Sequence, residues 1–252
     1  MTLRIYLTGG VCVESGSVLV REERFPGLQG RVVFAMLAAE HRQPLGIDVL
    51  ESELWGDTPP PASDSALRSS VSKLRTVLAD VDLAGDALVH AFGIYQLRLP
   101  PDAWVDLEAA ADAIHRAESA LRQADLDNAV GWGRAAVSVA ARPLLAGAEG
   151  PWVSERRERL RQLHLRALDC LAQVWLATGD APQAARDAGE ALRLDLFREP
   201  SHRLLMRALA ATGDRAGALR AYENCRVTLA DELGADPAAE TEALYVQILR
   251  SD

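Results

Sequence analysis

Lysine is almost missing from this chain: all but one of its 27 basic residues are arginine, and Lys73 is the exception. Cysteine is scarce too. Cys12, Cys170 and Cys225 lie far apart and at no metal-ligand spacing, which argues against a disulfide framework and leaves reduced, buried thiols as the default. Five scattered histidines give no metal motif either. No apolar run approaches the roughly 18 to 20 residues that span a bilayer. The opening Met-Thr-Leu-Arg-Ile-Tyr-Leu-Thr also lacks the basic start and apolar centre of a secretory signal. A cytoplasmic protein with no membrane partner is expected. There is no Gly-x-x-x-x-Gly-Lys-Ser/Thr phosphate loop, no Gly-x-Ser-x-Gly elbow and no His-Glu-x-x-His. An enzyme hypothesis therefore has no residue to name, and no cofactor is expected.

What is present is the composition of a folded globular protein, 49% hydrophobic and 25% charged, in 252 residues that allow two domains. The net charge is −9. Residues 1–105 carry nine Arg/Lys against 13 Asp/Glu, and the remainder carries 18 against 23. A general nucleic-acid binder needs a basic footprint, because its affinity comes from counterion release. Any nucleic-acid contact here has to be local.

One stretch has that local character. From Ser65 to Ala79, Leu67, Val71, Leu74 and Leu78 recur at i, i+4, i+7 and i+11, one narrow apolar stripe on a helix. Arg68, Ser72 and Arg75 form a second stripe, flanked by Ser69, Lys73 and Thr76. Guanidiniums, one ammonium and short hydroxyls suit phosphate oxygens and guanine edges. The same pattern also describes an ordinary amphipathic helix with a solvated face.

Around it, the chain opens with strands at Arg4–Thr8, Val11–Val13 and Val18–Val20. Helices are then predicted over Gly30–Glu40 and from Ile47 to Trp55, and Ser63 or Asp64 is expected to cap the Ser65 helix. Glu51, Glu53 and Asp64 are expected to face solvent. Two further strands, Leu88–Phe92 and Ile94–Leu99, meet near Gly93 in a hairpin. A sheet, three helices and a hairpin in that order make a winged helix-turn-helix, whose third helix enters the major groove.

After Pro100-Pro101-Asp102 the pattern is helical and repetitive. Thr178-Gly179-Asp180 recurs as Thr212-Gly213-Asp214, and Ala184 as Ala218, at the offset of a tetratricopeptide repeat. A looser copy starts at Ala124, before an irregular insert from Pro143 to Trp152. Trp55 and Trp152 are expected as core anchors, and Arg156, Arg157, Arg159 and Arg161 as a solvated basic face. The fold class is thus mainly α with a small β part. A winged helix-turn-helix domain spans 1–105, and an all-α tetratricopeptide-like domain spans 106–252.

Glu53-Leu54-Trp55-Gly56-Asp57, Leu67-Arg68-Ser69-Ser70-Val71-Ser72-Lys73-Leu74-Arg75 and Gly93-Ile94-Tyr95-Gln96-Leu97 resemble the DNA-binding domain of the Streptomyces antibiotic regulatory protein (SARP) family. Pro143-Leu144-Leu145, Pro151-Trp152-Val153 and Leu229-Ala230-Asp231-Glu232-Leu233-Gly234 resemble the bacterial transcriptional activation domain that follows it. Ser70, Thr76, His90-Ala91-Phe92 and Gln96 depart from the family pattern by removing positive charge or contact area. The resemblance implies a transcriptional activator of a biosynthetic gene cluster. It would bind direct repeats in double-stranded DNA as side-by-side protomers, a homodimer on DNA, and recruit RNA polymerase through its sigma and alpha subunits. Arg68, Ser69, Ser72 and Lys73 would then meet bases, Arg75 and Thr76 phosphates, and His90 and Tyr95 of the wing the flanking backbone. The alternative is a protein-interaction regulator whose winged helix has lost its affinity for DNA and which acts through the helical repeats.

Overall fold

The computed structural model describes residues 2–81, 83 and 86–250. The chain divides into two compact units, Met1–Ala110 with Val139–Leu160, and Ala111–Ser138 with Arg161–Asp252. The helix-rich architecture after a small β part is the expected one, a tetratricopeptide-like repeat preceded by sheet and three helices.

In the first unit, β1 (Leu3–Tyr6), β2 (Cys12–Ser15) and β3 (Val18–Val20) form an antiparallel meander. A two-residue strand, Trp104–Val105, joins it parallel to β1, pairing Ile5 with Val105. Ile5, Leu7 and Val13 alternate inward and are fully buried. Helix α1 (Gly27–Ala39) starts three residues earlier than its apolar pattern indicates. It is followed by a short strand, β4 (Leu45–Gly46), then α2 (Ile47–Trp55) and α3 (Ser63–Ala79). A second sheet takes β4, β5 (Leu88–Ala91) and β6 (Ile94–Leu97), with β6 in the middle. Phe34, Met36, Leu37, Leu50, Leu67, Leu74, Leu88 and Leu97 close the core between them.

Two carboxylates bind distant pieces of this unit together. Asp106, wholly buried, accepts from the Leu7 and Thr8 amides at 2.9 Å each and from Thr8 Oγ1 at 2.8 Å. Burial pushes its pKa up against those hydrogen bonds. Glu53, expected in solvent, is instead 5% exposed. It accepts from the amides of Trp152 at 2.7 Å and Val153 at 3.1 Å, satisfying the open first turn of the helix that starts at Pro151. A Cβ on Gly150 would sit 2.2 Å from Glu53 Oε1, so glycine is required there. Trp152 is half-buried, and its indole donates to Glu40 at 3.1 Å. Burial opposes ionisation of Glu40, yet this hydrogen bond and the paired Arg156 guanidinium hold its carboxyl below the ordinary range. Arg156 is therefore no solvated charge, and Arg157 donates to the carbonyls of Leu144 and Leu145.

The second unit is built from helix pairs. Ala181–Leu194 and Arg215–Leu233 begin 34 residues apart, at identical devices. Gly179 and Gly213 take φ of 84° and 83°, and the Asp that follows each caps the next helix, Asp180 to Gln183 N and Asp214 to Gly217 N. Ala184, Ala188, Ala208 and Ala218 are fully buried where the helices meet, so small side chains set the spacing.

Candidate nucleic-acid interface

Helix α3 presents its predicted stripe inward: Leu67 and Leu74 are wholly buried, and Val71 and Leu78 are nearly so. That burial fixes the helix's rotation, and it leaves Arg68, Ser69, Ser72, Lys73 and Thr76 exposed together on the opposite side. Among the described residues Lys73 has no carboxylate partner. Thr76 Oγ1 turns back to the Ser72 carbonyl at 3.4 Å.

The start of α3 differs from expectation. Neither Ser63 nor Asp64 caps it; the cap position is Ala62 and has no side-chain bond, because the helix reaches back to include both residues. Asp64 thereby joins the exposed face one turn before Arg68 and grips its guanidinium through two bonds of 2.9 Å. The face thus holds one carboxylate. Pairs of this kind at i, i+4 on a surface are worth about 0.3–0.5 kcal/mol, weak enough to exchange for a phosphate.

Arg75 has a different post from its neighbours. It is half-buried and donates from Nε at 3.2 Å and Nη2 at 3.0 Å to the Leu88 carbonyl, tying α3 to the first strand of the hairpin. His90 is exposed on β5, opposite Tyr95 on β6, and the two rings stack at 4.3 Å. Tyr95 itself is 1% exposed, and burial pushes its phenol up. Of the eight residues singled out, the structure gathers five on the outer face of α3 and uses Arg75 and Tyr95 to brace the hairpin beside it. His90 rests on that brace.

The hairpin tip holds Phe92, which sequence reasoning noted only as part of a wing without its usual positive charge. Ala91 pairs with Ile94, leaving Phe92 and Gly93 as a two-residue turn with φ of 51° and 74°. Positive φ at both central positions is the type I′ pattern, where Asn-Gly is preferred. A left-handed backbone costs a bulky L-residue about 1–2 kcal/mol. The Phe92 ring is also completely exposed, at 104%, forgoing the burial of an apolar side chain that is usually worth about 1.5–3 kcal/mol. The available signal was an aromatic immediately before the hairpin glycine.

Among the described residues no group of three or more His, Cys, Asp or Glu could hold a metal, and no helix is long and apolar enough to cross a membrane.

Residues 105–249 match the model of the bacterial transcriptional activator domain. Regulatory protein AfsR of Streptomyces coelicolor is 32% identical over 89% of this chain, which spans 22% of that protein's length. Regulatory protein DnrI of Streptomyces peucetius is 28% identical, with 88% of this chain and 84% of that protein covered. Mycobacterium tuberculosis EmbR, solved in complex with a low-affinity phosphopeptide, superposes with a TM-score of 0.88 at 26% identity, covering 98% of this chain and 65% of that one.

Proposed function

Because this chain belongs to the Streptomyces antibiotic regulatory protein family of transcriptional regulators and carries its bacterial transcriptional activator domain, we propose that it activates a biosynthetic gene cluster by binding DNA sequence-specifically. Residues 1–105 act as the reader and residues 106–252 as the part that engages the transcription machinery. The observation that carries the reading is the outer face of α3, where Arg68, Ser69, Ser72, Lys73 and Thr76 stand exposed over a fully buried stripe. Two protomers side by side on a direct repeat offset the small number of cations in each, since linked weak contacts add in free energy. RNA polymerase is recruited through its sigma and alpha subunits.

The test is retardation of fragments upstream of the neighbouring biosynthetic genes, titrated in salt with competitor DNA present. Lys73→Ala or Arg68→Ala should abolish specific retardation and leave the fold intact, with only the small contribution of the Arg68–Asp64 pair lost in Arg68→Ala. Loss of folding in either variant would mean that the helix face is misassigned. A second reading has one observation in its favour: the first 105 residues carry 13 acidic against nine basic side chains. A protein-interaction regulator of that kind would retard no fragment, even at low salt.

A further inference from the structure

Phe92 combines two unfavourable features at one position, a left-handed backbone and a fully exposed aromatic ring. Asn at this position would relieve both, so folding alone gives no reason for phenylalanine. The surroundings say what the ring could meet. The hairpin from Ala87 to Leu99 contains no Asp or Glu, in a chain that has 36 of them. Arg75 fastens the hairpin's first strand to α3 through the Leu88 carbonyl, and the His90–Tyr95 stack stiffens it across the strands. The base of the hairpin is therefore tied to α3, and Phe92 stands fully exposed at its far end, four residues beyond Leu88. The tip offers no cation of its own: His90-Ala91-Phe92-Gly93 holds neither Arg nor Lys.

Resting on the DNA-reading role proposed above, we infer that Phe92 is an apolar wedge that enters the minor groove flanking the segment read by α3 and partly unstacks one base step. Apolar side chains used in this way kink DNA where stacking is weakest, at pyrimidine–purine steps. The wing thus contributes shape selection in place of charge. It makes the protein sensitive to a flexible step outside the bases that α3 touches.

The experiment uses the full chain and duplexes enriched by it from a random-sequence pool, with 2-aminopurine substituted at successive flanking positions. Wild type should give a several-fold fluorescence rise at one step, and the enriched pool should carry a pyrimidine–purine step there. Phe92→Asn should lose that rise and bind about tenfold more weakly, a change of roughly 1.4 kcal/mol. Its salt slope should be unchanged because no charge has gone, and its melting temperature should rise as the turn relaxes. Phe92→Trp should keep the fluorescence rise. Several results would overturn the wedge. Wild-type affinity in Phe92→Asn, or no fluorescence rise at any position, would remove it and leave DNA reading by α3 intact. A salt slope that falls with the affinity would mean the ring only positions charged groups. Intact DNA binding with lost transcription would place a protein partner at the tip. Failure of the wild type to enrich any duplex would end both readings together.

Discussion

The helical-repeat unit and the outer face of α3 hold arginine in different ways. In the helical-repeat unit, guanidiniums bridge elements distant in sequence: Arg166 grips Glu118 through two bonds of 2.8 and 2.7 Å, and Arg198 reaches Asp169 at 2.7 Å. Arg203 reaches Thr241 at 2.9 Å, and Arg215 the Ile248 carbonyl at 3.1 Å. On α3, Arg68 holds only a carboxylate one turn away on its own helix, and Lys73 has no carboxylate partner among the described residues. A cation that ties two elements is part of the fold. One that leans on its own helix can be given to a partner at small cost. In a chain of net charge −9, that distinction says more about binding than the total does.

The contrast breaks most visibly at Asp169. It is 6% exposed and accepts from both Arg198 and Ser201, the latter at 2.6 Å. Asp169→Ala strands a half-buried guanidinium and should destabilise the repeat unit by about 3 kcal/mol in denaturant unfolding. DNA affinity of the folded fraction should not change. Equal losses of both would erase the division between structural and available charge.

Acid sharpens it at an intermediate scale. Burial lowers the pKa of His164 and His202 below the ordinary 6.5, and both lie in the second unit. A histidine with a depressed folded pKa takes up its proton more readily when unfolded. Stability is therefore fully present above about pH 6.5 and is lost as pH falls from there toward the folded values, with each ring adding its own share. Melting followed between pH 7.5 and 5.5 should show this decline, and it should be shallower in His202→Gln. A flat profile would mean that neither ring is dry.

The smallest effect is the most pointed. Asp64→Ala removes the competitor for Arg68, at a cost in stability of only about 0.3–0.5 kcal/mol. Operator affinity should rise a few-fold in retardation assays. A fall in affinity would show that Asp64 orients Arg68 for its target.

The same local-versus-distant divide decides what is legible in the sequence. The stripe Leu67, Val71, Leu74 and Leu78 declares its own burial by its period, and Gly179 and Gly213 declare the repeat by recurring. Nothing near Glu53 says that it caps a helix beginning 98 residues later, nor does Asp106 advertise the amides of Leu7 and Thr8. Those bonds are set by chain topology, which leaves no local pattern. Tyr95 was legible as a hairpin residue, while its burial depends on α3 and on the strands around it. The expected cap at Ser63 or Asp64 missed because the helix extends one turn further than its apolar residues do.

The first unit is assembled from two stretches of chain, with Val139–Leu160 returning to join Met1–Ala110. This matters while the protein is being made. Glu53 finds its donors, and Gly9 N meets the Pro143 carbonyl at 2.8 Å, only after the ribosome has added roughly fifty residues beyond Ala110. At about 5–20 residues per second that interval lasts on the order of 3–10 seconds. Throughout it the nascent first unit carries a carboxylate without its donors and an uncovered edge, so its completion is timed by translation of the segment that follows it.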